Sequence, residues 1–195
     1  MDSLRKLTVY LLSNIGRLFT ANRLKSLIEV GSTNTITEYL SHLEDTYLLY
    51  YVPKFDHSYR KQLVDPRKVY AVDTGLVRAN SVSFNEDLGR LLENMVFLHI
   101  RRSFKEIYYF SGKRECDFVV LQKGIARTAI QVCYDLNPDN LERELNGINE
   151  AMEFFGLREG LLVTYSQHDS FDTAGGKVTV VPMAEFLLGS LAESG

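Results

Sequence analysis

Cysteine, long apolar runs and glycine-rich phosphate loops are scarce or missing in this sequence, and each shortage closes a class of explanation. Two cysteines in 195 residues, Cys116 and Cys133, do not make a secreted disulfide framework. No His/Cys cluster has zinc spacing. The apolar runs fall far short of the roughly 20 residues that span a bilayer. The N-terminal stretch MDSLRKLTVYLLSNIG lacks a long apolar segment followed by a small-residue cleavage site. A soluble, cytoplasmic protein with no membrane partner is therefore expected. Neither GxxxxGK[ST] nor GxGxxG occurs, so the chain carries no nucleotide-binding motif of its own. There is no internal repeat and no low-complexity segment. A net charge of −3 supplies no global basic field, so any nucleic-acid binding has to come from a local patch.

What is present is ordinary globular composition, 45% hydrophobic and 24% charged, in a chain long enough to bury one core or two small ones. Residues 1–50 read as three helices. The first runs roughly over residues 4–14, with Leu4, Leu7, Leu11 and Leu12 on one face. The second opens on Thr20 as N-cap and is closed by Gly31. The third begins at the capping-box sequence TITE, Thr35 to Glu38, with Ile36, Tyr39, Leu40 and Leu43 at helical spacing. YLLYYVPKF and RKVYAVD then read as a strand pair, and the polar segment between them as a long turn. Three short helices followed by a hairpin is the order of a winged helix, in which the third helix is the usual DNA-reading element and the hairpin loop is the wing. Residues 72–85 read as a connection. After them a helix capped by Asn85, with Glu86 and Asp87 at its start, opens a second domain of order α-β-β-β-α-β-β-α. The expected division is residues 1–78 and 79–195.

Phosphodiester hydrolysis with Mg²⁺ needs carboxylates to hold a hard cation and a group to orient or deprotonate water. An acid at one strand, an acid and a lysine two apart on the next, and a carboxylate from a preceding helix make a compact version. The i, i+2 spacing on a strand puts both side chains on one face. Glu93, Asp117 and the Gln131/Cys133 pair fall in this order. Asp117 interrupts an apolar strand, an expensive place for a carboxylate without a partner. At position 133 a thiol stands where a cation is needed. Lys113, Arg114 and Lys123 are the loop cations that could replace it. In the presumed wing, Lys54, Arg60, Lys61, Arg67 and Lys68 form a candidate phosphate-contacting set, with Asp56 and Asp65 interspersed. Tyr39, Tyr47, Tyr50 and Tyr51 are candidate interface aromatics.

These stretches together resemble a known family. TITEYLSHLEDTYLLYYVPKF, RKVYAVDTGLVRA, LGRLLENMVFLHIRR, IYYFSGKRECDFVV with AIQVCYD, and VTVVPMAEFLL are similar, in that order, to the C-terminal region of bacterial and archaeal AAA-type (P-loop) ATPases. The resemblance implies a winged helix joined to a PD-(D/E)xK nuclease-like domain, a restriction-endonuclease-like mixed sheet flanked by helices. It places the family's helix glutamate on Glu93 and its strand aspartate on Asp117, the two metal ligands if the site is active. The usual glutamate-x-lysine pair falls on Gln131 and Cys133, and both positions depart from the pattern. The expected function is an accessory region of an ATPase that binds DNA or a protein partner through a catalytically degraded fold. The alternatives are an active Mg-dependent nuclease and a docking or oligomerisation domain. Mg²⁺ belongs only to the active alternative. ATP is expected only in an ATPase half that would precede Met1, so the sequence is read as a fragment or a stand-alone relative.

Overall fold

Leu7 and Leu11, one turn apart, are both fully buried in α1 (Asp2–Leu12), the first helix of a computed structural model that describes residues 2–80 and 88–189. The chain divides into two units, Met1–Asn94 and Met95–Gly195. Together they make a mixed α/β protein. No helix of the described residues is long and apolar enough to cross a membrane.

In the first unit, β1 (Leu18–Phe19) follows α1, then α2 (Ala21–Ile28) and α3 (Thr33–Asp45). β2 (Leu49–Pro53), α4 (Tyr59–Val64), β3 (Arg67–Ala71) and α5 (Thr74–Asn80) complete it, with the first turns of α6 (Leu88–Ser103). The apolar faces of the three leading helices meet in one core. Leu7, Leu11, Leu24, Ile36, Leu40 and Leu49 are among its fully enclosed members. The strands form an antiparallel sheet in the order β1-β3-β2, with Tyr50 opposite Tyr70 and Phe19 opposite Arg67.

Thr20 caps α2 as expected, accepting the Arg23 N–H. Its end differs: Glu29, not Gly31, takes the left-handed conformation, at φ 59°. Helix α3 starts earlier than the capping-box reading, because Ser32 accepts the Asn34 N–H and Thr35 lies inside the helix. The polar segment read as a turn contains α4. Asp56 organises it, accepting the Ser58 N–H and the Lys61 ammonium while its carbonyl accepts from Gln62. Residues 74–80, read as connection, are helical. Asn85, Glu86 and Asp87 lie outside the described residues.

The second unit continues α6 and adds β4 (Glu106–Ser111), β5 (Glu115–Gln122) and β6 (Ile125–Val132). Helix α7 (Leu141–Phe155) precedes β7 (Glu159–Thr164), β8 (Asp169–Thr173), β9 (Gly176–Pro182) and α8 (Met183–Leu188). The six strands form one sheet in the order β4-β5-β6-β7-β9-β8. β4, β5 and β6 are antiparallel neighbours, while β6, β7 and β9 run parallel. The parallel step from β6 to β7 needs a crossover, and α7 supplies it. Six consecutive residues of β5, Cys116 to Leu121, are buried, the pattern of a strand covered on both faces. The sequence order omitted β8. Its residues DSFDT are mostly polar and exposed, which suits a sheet edge and hides the strand from a periodicity reading.

Helix α7 lies hard against β5. A Cβ on Gly147 would stand 2.3 Å from the Glu115 carbonyl oxygen, so only glycine permits this approach.

Candidate functional site

β5 and β6 pair with Phe118 opposite Ile130, and one step further along lie Asp117 and Gln131. The structure brings these two residues together and seals them in. The Gln131 Oε1 accepts the Asp117 backbone N–H at 3.2 Å, and the Asp117 carboxylate accepts the Val132 N–H at 3.0 Å. The other end of the Gln131 amide donates to Glu144 of α7 at 2.7 Å. Arg143 donates to the remaining Glu144 oxygen through Nε at 3.0 Å and through its terminal nitrogen. Asp117, Gln131 and Glu144 are all under a tenth exposed. The three therefore form a strand–strand–helix hydrogen-bond network.

Cys133 sits just past the end of β6, its N–H bonded to the Val163 carbonyl of β7. The thiol donates to the Asp135 carbonyl, and Asn140 donates back to the sulfur. Burial pushes the thiol up to about 11, and the neighbouring Glu144 charge pushes it in the same direction. At neutral pH it is an uncharged, enclosed S–H.

Glu144 escaped the sequence reading. It occupies the inward face of α7, in line with Gly147, Ile148 and Ala151, all buried. A carboxylate on the apolar face of an otherwise amphipathic helix was the available signal.

The loop cations divide. The Lys113 and Arg114 N–H groups donate to Glu150 of α7 at 2.7 and 2.8 Å, pinning the β4–β5 turn beside the Asp117 end of the sheet. Lys123 lies in the β5–β6 turn, six residues and roughly 20 Å along the strand from Asp117, so it does not supply the missing charge.

Glu93 belongs to the first unit. Its Oε1 accepts the Tyr70 hydroxyl at 2.6 Å and the Lys68 ammonium at 3.2 Å. Lys68 and Tyr70 are enclosed, and the Glu93 side chain is 13% exposed. Gly16, at φ +69°, approaches so closely that a Cβ would stand 2.9 Å from a Glu93 oxygen. The neighbouring Asn94 side chain bonds both the N–H and the carbonyl of Ala71, fixing the N-terminal half of α6 to β3.

Among the cations expected to face a phosphate, Lys68 is a correction: it is 2% exposed and paired to Glu93. Its register position on β3 points it inward. Lys61 is paired with Asp56, and Arg67 lies over the rings of Phe19 and Tyr51, at 5.7 and 5.5 Å. Lys54 is half-buried and Arg60 exposed. Of the aromatics, Tyr47 is exposed, Tyr39 and Tyr50 are partly covered, and Tyr51 is core. Among the described residues, no three His, Cys, Asp or Glu side chains gather closely enough to hold a metal ion.

Fold and site thus define a two-unit α/β protein whose second unit joins adjacent strands and a crossover helix through a buried acid–amide–acid network. Residues 88–186 match the family described as Domain of unknown function (DUF4143), and the chain belongs to that family. Residues 1–87 match a second description, Domain of unknown function (DUF8612). The chain is 36% identical over 156 residues to the uncharacterized protein MJ1544 of Methanocaldococcus jannaschii, covering 77% of this chain and 34% of the relative. It is 23% identical over 190 residues to an uncharacterized protein of Haemophilus influenzae, covering 95% of this chain and 46% of the relative. The chain therefore spans less than half the length of either curated relative. No solved structure matches it.

Proposed function

We propose that the chain is a non-cleaving binding region of a larger AAA-type ATPase, with a winged-helix-like first unit and a PD-(D/E)xK nuclease-like second unit retained as scaffold. Its partner is DNA or another protein. The observation that carries this reading is the closed network around Gln131. Where a nuclease presents a carboxylate to a metal, Gln131 offers an amide whose oxygen is used by the Asp117 N–H and whose nitrogen faces Glu144. Both Glu144 oxygens are engaged, one by Gln131 and one by Arg143. A hard divalent cation wants several carboxylate, carbonyl or water oxygens turned toward one point. This donor set does not fit Mg²⁺. Cys133, neutral and buried, gives no cation beside a scissile phosphate. The ATPase assignment rests on the resemblance of the ordered motifs, and the relatives' greater lengths leave room for an ATP-binding half.

Calorimetric titration of the chain with Mg²⁺ and Mn²⁺ tests the closed site. The expected result is no saturable heat. Stoichiometric binding abolished by Asp117→Asn would overturn the reading and restore the nuclease.

A further inference from the structure

The net count of −3 hides a sharp sorting of charge along the first unit. From Ser3 to Ile28 there are five cations (Arg5, Lys6, Arg17, Arg23 and Lys25) and no carboxylate. From Glu29 to Tyr47 there are four carboxylates (Glu29, Glu38, Glu44 and Asp45) and no lysine or arginine. The acidic stretch contains α3, whose exposed residues include Glu38, Glu44 and Asp45. A phosphate backbone is repelled by such a face, so DNA reading through the third helix is electrostatically opposed.

The basic stretch folds into α1, β1 and α2 and encloses a small cavity of about 90 Å³. Tyr10, Asn14, Arg17 and Arg23 supply its polar lining, Leu11 and Phe19 part of its apolar wall, and none of its lining residues is Asp or Glu. Among the described residues neither Arg17 nor Arg23 is ion-paired, and both are exposed. Two guanidiniums on a cavity of this size suit one tetrahedral oxyanion, which their forked donors match. A further cation stands beside the wall: Arg67, paired across the sheet with Phe19, is held over the Phe19 and Tyr51 rings.

We propose that this pocket seats a backbone phosphate of DNA, with Arg17 and Arg23 as its donors and Arg67 as the adjoining contact. A lone phosphate would use only the pocket, whereas a polyanion also uses Arg67. The proposal rests on the reading of the chain as a binding region and names its ligand class.

The test is fluorescence anisotropy of a labelled DNA duplex titrated with the full chain over a series of salt concentrations. Arg17→Gln and Arg23→Gln should each weaken binding roughly five- to tenfold, alike for unrelated sequences, and lower the salt slope by about one. Their melting temperatures should equal that of the unmodified chain, since both side chains are exposed. Inorganic phosphate at matched ionic strength should displace DNA better than chloride, and only while both arginines are present. Full binding in the two pocket variants, with loss in Arg60→Gln and Lys61→Gln instead, would move the contact to the α4 loop and overturn the pocket. Inorganic phosphate binding at the arginines without any DNA binding would identify a small-anion site and overturn the proposal as well. Neither failure touches the non-cleaving reading, which falls only to metal binding or cleavage.

Discussion

Gln131 shows how one amide can tie two strands and a helix together. An amide has a donor end and an acceptor end, so it satisfies an N–H on one side and a carboxylate on the other, which a second carboxylate in its place would repel. Here the N–H is that of Asp117 and the carboxylate is Glu144. Cys133, close enough to Glu144 to feel its charge, stays neutral. Its pKa is raised from 9.0 to about 11, chiefly by burial, so the folded state favours the protonated thiol. That preference contributes fully below pH 9 and is lost as pH rises from 9 through 11. At pH 8, well below that value, the thiol is almost entirely protonated. Ellman's reagent at pH 8 should therefore find almost no reactive thiol in the folded chain and two after denaturation, because Cys116 is also fully enclosed. Prompt reaction of one equivalent in the folded state would contradict this environment for Cys133.

At the scale of elements, the approach of α7 to β5 decides whether the network can form. Gly147→Ala is informative because its ordinary effect has the opposite sign: on an exposed helix, alanine is better than glycine by about 1 kcal/mol. At this site the new methyl meets a backbone oxygen that cannot swing away. The expected outcome is a loss of about 1–3 kcal/mol in urea denaturation, with α7 displaced from Gln131. Unchanged or increased stability would mean that the helix does not pack this closely. Elements with a strong period were legible in sequence: α1, α2, α3 and α7 follow their apolar spacing, and the runs of β2, β3, β5 and β7 follow their branched and aromatic residues. Elements set by pairing were not. Two-residue β1 exists because Leu18 and Phe19 find Lys68 and Arg67, and polar β8 exists because β9 offers an edge. The site was legible to the same degree. Asp117 stood out as a polar interruption of an apolar strand and Gln131 as half of an i, i+2 pair, whereas the partners of Glu144 and the inward turn of Lys68 depend on packing that no local pattern records.

For the whole molecule, the proposed function separates binding from cutting. The buried network lies in the second unit, while Arg17 and Arg23, without an ion pair among the described residues, line a cavity of the first. The most direct measurement is a single gel in which the full chain is incubated with supercoiled DNA in Mn²⁺ or Mg²⁺, and bound and cleaved species are read from the same lanes. The account predicts retarded DNA that runs as intact supercoiled plasmid once the protein is removed. Nicked or linear product that disappears in Asp117→Ala would contradict it.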